Sequence, residues 1–286
     1  MANSLAVDAR VVENMPFAEY AAAPGLNGSK IINMRRSPLY FRHCVDNPAP
    51  PTDALILGVY THRLILEPTR VGDFAIWGSE ADQKVRNGKV WEAFKAAHTH
   101  QDIITVNECE AMVGMAVSVR KSLPIRKYAD AQGPTELSLF WTDSVTGRAL
   151  KCRLDKWIPK TRTVFDLKTT RCCQPYKFGA QAYQLAYHIK MAIQWMGVKA
   201  CFGVDAHLKL GAIESKAPHE SAVYRVTSDV RLQGIEELDA LVKILDECEK
   251  TNKWPAEMED ESDLLLPTWA TPTETEDFAI AGLDLE

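Results

Sequence analysis

The sequence predicts an α/β fold in which a central mixed sheet is flanked by helices. Residues 135–170 alternate apolar and polar side chains and contain two turn signals, which is the pattern of an antiparallel meander. Residues 53–67 and 229–250 place their apolar side chains at helical spacing. Two further short stretches, at 199–204 and 222–226, are typical of strands. Together these stretches predict one domain with strands at its centre and helices around them.

Helices are predicted for most of the N-terminal part of the chain. The first lies within residues 25–45 and begins at a cap formed by Asn27 or Ser29. Residues 53–67 are expected to form a buried helix that ends at a proline. The other segments of this part are a second short helix at 39–44 after a break at Ser37-Pro38, a polar and irregular stretch at 70–105 anchored by Trp77 and Trp91, and a helix at 106–123.

The second half of the chain begins with the meander of three predicted strands. A Thr146-Gly147 turn joins the first two strands, and a Pro159-Lys160 turn joins the second to the third. A helix is then expected over residues 175–197, ending at Gly197. The remaining predicted elements are the strands at 199–204 and 222–226 and the long helix at 229–250.

The length and composition are those of a soluble protein with a sizeable core. Of the 286 residues, 46% are hydrophobic and 25% are charged. We expect an N-terminal extension over residues 1–24, a main domain over residues 25–255, and an acidic C-terminal tail over residues 256–286 that is exposed or disordered. No run approaches the roughly 18 apolar residues of a spanning helix, and no apolar signal core is present. A cytoplasmic protein without membrane association is therefore expected.

Cysteine usage and net charge exclude some functional classes and leave others open. The seven cysteines are scattered, with only Cys172 and Cys173 adjacent, so reduced thiols are expected in place of a zinc or iron–sulfur site. The formal net charge of -5 lacks the basic excess typical of nucleic-acid-binding proteins. Nucleic acid is still not excluded, because a protein that gathers carboxylates around metal ions is locally acidic until the ions bind.

Two acids and one lysine on the predicted strands carry the strongest chemical signal. Asp155 and Asp166 are separated by a short turn, so neighbouring strands can bring their carboxylates together. Asp166 and Lys168 leave the same outward face of a strand, whereas Leu167 points into the core. Mg²⁺ and Mn²⁺ prefer carboxylate ligands, and a nearby ammonium can position a water or stabilise a leaving group. By itself, however, an Asp-x-Lys strand is more often a solvated face.

The run CRLDKWIPKTRTVFDLKTT, residues 152–170, resembles the PD-(D/E)xK nuclease superfamily, and specifically the RecE-like (exonuclease VIII) exonucleases of phages and prophages. Three further motifs of that family have similar segments here: NGSKII at 27–32 followed by SPLYF at 37–41, LGVYTHRLILEP at 57–68, and TELSLFW at 135–141. The matches follow the family order over residues 25–255. A PD-(D/E)xK restriction-endonuclease-like core is therefore the expected fold, with residues 25–255 as the nuclease domain.

The resemblance implies a catalytic site and its metal ligands. The implied catalytic residues are Glu136, Asp155, Asp166 and Lys168, and the implied ligands of Mg²⁺ or Mn²⁺ are Asp155, Asp166, Glu136 and His62. In that role Lys168 orients the attacking water. Glu136 and His62 enter through the resemblance, since a single histidine on an apolar helix is more often a buried core residue than a ligand.

One helix departs from the family pattern. The family helix usually reads Tyr-His-x-Gln, whereas YHIKMAIQW at 187–195 has Lys190 in the place of the glutamine. Gln194 lies one turn further on, and Gln181 or Gln184 are alternatives. The candidate substrate-binding residues are Tyr187, Lys190, Gln194, Arg153 and Thr169; Tyr187 and His188 are alternatively packing residues. The basic and aromatic residues at 35–42 line a DNA groove or form a charged helix surface.

The resemblance also implies an activity and partners. These are metal-dependent exonuclease action, 5′ to 3′ on linear double-stranded DNA, in phage-type single-strand annealing recombination within a bacterial cytoplasm. The expected partners are double-stranded DNA ends and a single-strand annealing protein, and a homo-oligomeric ring is a further expectation. Two alternatives stay open: a structure-specific endonuclease, and a DNA-binding protein that retains the nuclease fold without cleaving.

Overall fold

The computed structural model describes residues 9–72, 74–80, 82–83, 85–258, 260–261 and 263–265 of the chain. Residues 1–8 of the predicted extension and residues 266–286 of the predicted acidic tail lie outside the described residues. The predictions made for those two segments therefore stay predictions. None of the described helices combines the length and apolar character needed to span a lipid bilayer.

The described residues form both α-helices and β-strands. The α-helices are α1 (Phe17–Ala22), α2 (Gly28–Ile31), α3 (Pro38–Asp46), α4 (Asp53–Leu66), α5 (Gly88–Ala97), α6 (Val106–Lys121), α7 (Leu123–Ala129), α8 (Pro175–Gln184), α9 (Tyr187–Phe202) and α10 (Ser228–Thr251). The strands are β1 (Arg10–Val12), β2 (Phe74–Trp77), β3 (Asp102–Thr105), β4 (Thr135–Thr142), β5 (Ala149–Ile158), β6 (Thr163–Thr170), β7 (His207–Glu214) and β8 (Ser221–Val226). The predicted helices at 53–67, 106–123 and 229–250 are thus confirmed.

A six-stranded mixed sheet forms the centre of the fold. Its strand order is β1-β4-β5-β6-β7-β8, and its neighbours are antiparallel except for the parallel pair β6 and β7. A parallel pair needs a long crossover, which α8 and α9 supply. The predicted fold class and the predicted meander of β4, β5 and β6 are confirmed. Strands β2 and β3 form a separate two-stranded parallel sheet.

Helices cover both faces of the large sheet. On one face Leu154 of β5 packs in a cluster with Ile189 of α9 and Leu238 of α10. On the other face Phe165 and Leu167 of β6 pack against α6 and α7, through Met115, Val119, Ile125 and Ala129. Leu167 is therefore a core residue, as its position between two charged neighbours predicts. Strand β6 is enclosed between these two layers.

The structure has two helices, α8 and α9, where the sequence predicts one helix at 175–197. The strand predicted at 199–204 is wrong, because α9 continues to Phe202. Ala186 adopts a left-handed backbone, φ 53°, between α8 and α9. Gly197 does not end α9; a Cβ there would lie 2.8 Å from the Trp141 ring, so the glycine permits close packing of the helix on the sheet. The helix continues to Phe202 and is capped by Gly203 at φ 69°. The sequence pattern thus predicts the end of the helix at Gly197, whereas the helix is capped at Gly203.

One prediction for the N-terminal part also needs correction. The stretch at 70–105 is not irregular, because it contains β2, α5 and β3 around Trp77, whose ring centroid lies 4.9 Å from that of Trp91. Strands of only four residues give little periodicity to detect. The first predicted helix does begin at the Asn27 cap, and the predicted break at Ser37-Pro38 and the second short helix at 39–44 are confirmed, because α3 begins after the Ser37 cap.

A buried lysine fastens the N-terminal segment to the sheet. Strand β1 pairs with β4, so residues before the predicted boundary at 25 take part in the sheet. Lys151 of β5 has 0% of its surface exposed, and its Nζ donates hydrogen bonds to the carbonyl oxygens of Tyr20, Ala21 and Ala23 at 2.6, 3.2 and 2.5 Å. These carbonyls end α1, where backbone acceptors lack helical partners. The ammonium satisfies three of them at once.

We predict that Lys151→Met lowers the free energy of unfolding by roughly 2–4 kcal/mol, because buried carbonyls lose their donor. Urea unfolding measures the change. Hydrogen exchange should also speed up in α1 more than in α10. Lys160→Met, at an exposed lysine, is the control and should change stability little. Unchanged stability of Lys151→Met would contradict this role for the lysine.

Candidate active site

The separation of β5 and β6 creates the candidate site. Backbone pairing joins residues 156–158 of β5 to residues 163–165 of β6, and it stops immediately before Asp155 and Asp166. Beyond that point the Oδ2 atom of Asp155 accepts a hydrogen bond from the Leu167 backbone N–H at 2.9 Å. The Asp155 side chain thus replaces a backbone hydrogen bond between the two strands, and the two acids face the gap between β5 and β6.

Lys168 lies between the two acids. Its Nζ forms a close ion pair with Asp166 Oδ2 and lies 3.9 Å from Asp155 Oδ2. The predicted juxtaposition of Asp155, Asp166 and Lys168 is therefore present. The expectation that Asp166 faces outward is wrong: it is 4% exposed, because α9 covers this face of the sheet. The three groups form a cluster of one buried and two partly buried side chains instead of a solvated face.

The charges of the cluster depend on one another. Burial acts to raise the pKa of Asp166, but the Lys168 charge together with the hydrogen bonds from Lys168 and Gln194 outweighs burial and holds that pKa below its usual value. The Lys168 pKa is raised by Asp166 and Asp155 against the effect of burial. Burial and the neighbouring Asp166 raise the pKa of Asp155. At neutral pH, Asp166 and Lys168 are therefore a charged pair, and Asp155 is the acid that loses its proton less readily.

Helix α9 brings Gln194 and Lys190 to the cluster. The buried Gln194 donates from Nε2 to Asp166 Oδ1 at 2.8 Å. Gln181 does not reach this point, since its Oε1 accepts from the Thr170 hydroxyl at 2.6 Å. Lys190 Nζ lies 5.5 Å from the centroid of the Tyr187 ring, and Lys168 Nζ lies 5.6 Å from the same centroid. Gln194 thus holds Asp166, while the two lysines flank one tyrosine.

Burial and the nearby Lys168 charge lower the pKa of Lys190 to about 8. No ion pair joins Lys190 to another residue in the described part of the chain. Its stem is fixed, because Gly28 of α2 packs against it closely enough that an added Cβ would lie 3.0 Å from Lys190 Cγ. Lys190 is therefore a second cation near the acids that is available to an anionic ligand.

Helix α4 places His62 on the open side of the strands. His62 Nδ1 lies 3.5 Å from Asp155 Oδ2, and burial together with the Lys168 charge lowers the pKa of the imidazole. A neutral imidazole is the form that binds a metal ion. Thr169, near the end of β6, faces Gly58 of the same helix. The helix predicted at 53–67 thus places His62 beside Asp155.

Glu136 occupies a strained position on β4 beside Asp155. Its backbone has φ 49°, which is unusual for a residue with a side chain. Its Oε2 lies 2.5 Å from Arg153 Nε, so the predicted substrate-binding Arg153 is paired with it. Burial and the Asp155 charge raise the pKa of Glu136 to about 7. Glu136 therefore keeps its proton more readily than an ordinary glutamate, and a nearby cation would favour its ionised form.

The donor set suits a hard divalent cation. The candidate ligands offer carboxylate oxygens and one imidazole, which Mg²⁺ and Mn²⁺ accept. Asp166 Oδ2 is buried and has no hydrogen-bond partner besides its ion pair with Lys168. The candidate ligand atoms do not all converge within 4.8 Å, because the Lys168 ammonium lies between the two aspartates. The residues fit a metal site in kind, and their roles as ligands stay a prediction.

A tighter group of possible ligands, which the sequence reasoning missed, lies elsewhere. The ligand atoms of Cys173, Glu214 and Glu220 all lie within 4.8 Å of one another. Glu214 Oε1, however, accepts the Cys173 backbone N–H at 2.8 Å. Burial and a hydrogen bond to Glu214 also raise the pKa of the Cys173 thiol to about 11, so a thiolate ligand is disfavoured. Hydrogen bonding accounts for this cluster.

A mixed sheet flanked by helices, with acids and a lysine where two central strands separate, is the arrangement of PD-(D/E)xK nucleases. The chain belongs to the family described as PDDEXK-like domain of unknown function (DUF3799), whose model matches residues 29–262. It is therefore a member of the PD-(D/E)xK superfamily. The match does not single out the RecE-like branch, which stays a prediction. No curated protein matches the chain.

One solved structure agrees with this fold. A crystal structure from Eubacterium rectale, of a protein described provisionally as an exonuclease, matches with a TM-score of 0.58 and 11% identity over 85% of this chain and 90% of that chain. At that identity the likeness shows the fold alone. A structure of SSO0001 matches with a TM-score of 0.28 and 16% identity over 46% of this chain and 60% of that chain, too weakly to argue from.

We predict that Glu136→Gln changes stability in a pH-dependent way in EDTA. The folded pKa of about 7 lies above the ordinary 4.5, so the stability linked to the retained proton is lost as pH rises through 7. The variant carries no such proton. The difference in Tm, variant minus wild type, should therefore be larger at pH 8 than at pH 5. Thermal unfolding at both pH values measures it.

Glu236→Gln, at an exposed glutamate, is the control. Its difference from the wild type should stay constant between the two pH values. A constant difference for Glu136→Gln as well would contradict the raised pKa of Glu136.

Proposed function

We propose that the protein is a metal-dependent DNA exonuclease that hydrolyses phosphodiester bonds. The observation that carries the proposal is the cluster of Asp155, Asp166 and Lys168 where β5 and β6 separate. Membership of the PD-(D/E)xK superfamily supports the same chemistry. The provisional exonuclease description of the Eubacterium rectale protein is consistent with it.

Each residue of the site has a role in the proposed reaction. Asp155, Asp166 and Glu136, with His62, would hold Mg²⁺ or Mn²⁺. Such an ion, when bound, lowers the pKa of a water and neutralises charge on the phosphate. Lys168 keeps its proton at neutral pH, because the two aspartates raise its pKa. It therefore orients the attacking water or stabilises the phosphate as a cation and does not act as a base.

Helix α9 supports this chemistry from the buried side. Gln194 fixes the orientation of Asp166 through the hydrogen bond to its Oδ1 atom. Hydrogen bonds of this kind orient metal ligands in other proteins. Lys190 and Tyr187 lie beside Lys168 and are proposed to contact the substrate phosphate, with Thr169 and Arg153 at the edge of the site.

The finer proposal follows the order of the family motifs. We propose a RecE-like exonuclease that digests linear duplex DNA from its ends, 5′ to 3′, and so prepares strands for phage-type annealing recombination in a bacterial cell. The proposed partners are duplex ends and a single-strand annealing protein, and the proposed assembly is a homo-oligomeric ring. The resemblance of residues 25–255 to that family supports these features.

We predict that purified protein degrades linear duplex DNA in Mg²⁺ and leaves closed circular DNA intact. Asp166→Ala and Lys168→Ala should lower the rate by roughly 100-fold or more, because the first removes a proposed metal ligand and the second removes a cation beside the reacting phosphate. A time course on duplexes labelled at the 5′ or the 3′ end, with and without EDTA, measures rate and polarity. Lys160→Ala, at an exposed lysine in the turn between β5 and β6, is the matched control.

The outcomes separate the alternatives. Cleavage of closed circles would identify an endonuclease. DNA binding without cleavage under any metal condition would identify a binding protein that retains the fold. Wild-type rates in both active-site variants would contradict the assignment of the site.

We predict distinct kinetic effects for the two residues of α9. Gln194→Leu should weaken the activating affinity for Mn²⁺ about 10- to 100-fold, because Asp166 loses its orienting donor. Lys190→Ala should raise KM for DNA about tenfold with a smaller change in kcat, because a charged contact to phosphate is lost. Titrations of rate against Mn²⁺ and against DNA measure the two effects. Equal changes in both titrations for both variants would contradict the separate roles.

A further inference from the structure

A nearly buried glutamate lies at the end of helix α4, outside the ligand set of the proposed site. Glu67 is the C-cap residue of that helix, and only 10% of its side chain is exposed. A carboxylate is disfavoured there, because the C-terminus of a helix carries partial negative charge. Burial of the carboxylate adds a further cost. The contacts of Glu67 must therefore offset both effects.

Glu67 is bonded to the first residue of strand β4. The Thr135 hydroxyl donates a hydrogen bond to Glu67 Oε1 at 2.7 Å. Arg70 Nη1 lies 3.6 Å from the same oxygen, but the Arg70 side chain is more than half exposed, and exposed ion pairs are weak. The bond from Thr135 is the shorter of the two contacts, and it ties the end of α4 to the sheet.

Helix α4 and its C-cap contact the three strands of the proposed site in turn. Gly58 faces Thr169 of β6, since an added Cβ would lie 3.7 Å from the threonine Oγ1. One turn later His62 Nδ1 lies 3.5 Å from Asp155 Oδ2 of β5. Glu67 then reaches β4. The contact at Glu67 thus continues a series whose earlier members lie at the proposed site.

Thr135 immediately precedes the strained residue of that site. In the ladder of β4 and β5, Thr135 pairs with Lys156, and Leu137 pairs with Leu154. Glu136 lies between these pairs at φ 49°. A residue with a side chain keeps such a backbone only where the surrounding structure fixes it. The bond to α4 is therefore an anchor placed directly before Glu136.

The charge of Glu67 does not favour an ionised Glu136. Burial and the Asp155 charge raise the pKa of Glu136, and the Glu67 charge raises it further. Carboxylates close enough to affect one another in this way repel when both are ionised. Glu67 therefore contributes to Glu136 through position and not through charge.

We propose that Glu67 is a positioning residue for Glu136 and acts through the Thr135 hydroxyl. It holds the start of β4 against α4, so that the Glu136 carboxylate stays beside Arg153. The inference rests on the proposed metal-dependent function, because Glu136 is one of the carboxylates assigned to the metal ion. The role needs only a hydrogen-bond acceptor at residue 67, so an amide can replace the carboxylate there.

Crystal structures of two variants test the positioning itself. Thr135→Val keeps the branched shape of threonine but lacks the hydroxyl, whereas Thr135→Ser keeps the hydroxyl. We expect the contact between Glu136 Oε2 and Arg153 Nε to be lost in Thr135→Val and kept in Thr135→Ser. An unchanged contact in Thr135→Val would overturn the proposal. This comparison needs neither a metal ion nor DNA.

Mn²⁺ binding without DNA, measured by isothermal calorimetry, tests the consequence for the site. Glu67→Met and Thr135→Val should each weaken binding about tenfold, because the contacts that orient metal ligands tune affinity. Glu67→Met also covers the case in which Thr135→Val does not fold. Glu67→Gln should stay within about threefold of the wild type, since its Oε1 still accepts the hydrogen bond. Thr142→Val, at the other end of β4, is the control and should bind as the wild type does.

Equal losses in Glu67→Gln and Glu67→Met would overturn the proposal, because the charge of Glu67 would then be what matters. A double-mutant cycle separates positioning from general destabilisation. In a Glu136→Gln background, Glu67→Met should cause no further loss of Mn²⁺ affinity, because the residue that it positions is already altered. An additive loss would also overturn the proposal. If the wild type neither binds Mn²⁺ nor cleaves DNA, the proposed function fails, and the crystal structures of the Thr135 variants decide the positioning role.

Discussion

A buried ion pair between Asp166 and Lys168 is the interaction on which the proposed site depends. Burying both charges is costly, and such a pair is stable only when its remaining polar atoms are also satisfied. Gln194 satisfies one oxygen of Asp166, and Asp155 lies near the other side of the ammonium. Loss of one partner would leave an uncompensated charge at a cost of about 3–5 kcal/mol. A fold gains little stability from this arrangement compared with an apolar core, which is consistent with a catalytic purpose.

The strands around that pair leave a gap between the two aspartates. Strands β5 and β6 stop pairing just before the two aspartates, and the Asp155 side chain takes the Leu167 N–H that the ladder leaves free. Glu136 adds a third acid with a raised pKa on a strained backbone. Neighbouring acids that repel one another would be stabilised together by a bound cation. The cluster is therefore suited to the proposed metal ion.

Much of the arrangement of the candidate site was predictable from the sequence. The alternation of side chains on a strand brings Asp166 and Lys168 together, and a short turn brings Asp155 beside them. The burial of Asp166 was not predictable, because it depends on α9 crossing that face of the sheet. The sequence left Gln181, Gln184 and Gln194 as alternatives for this position. Only the packing of α9 on the sheet identifies Gln194 as the residue that contacts Asp166. The helix end predicted at Gly197 was wrong, because the sequence alone does not distinguish a glycine that permits close helix packing from one that ends a helix.

The central claim is that Asp155 and Asp166 bind a divalent cation at the separation of β5 and β6. Anomalous X-ray scattering from crystals of the protein grown with Mn²⁺ tests it most directly. We expect a peak within coordination distance of carboxylate oxygens of both Asp155 and Asp166, and we expect that peak to be lost in Asp166→Asn. A peak confined to Cys173, Glu214 and Glu220, or a metal-loaded crystal with no peak at the two aspartates, would contradict the claim.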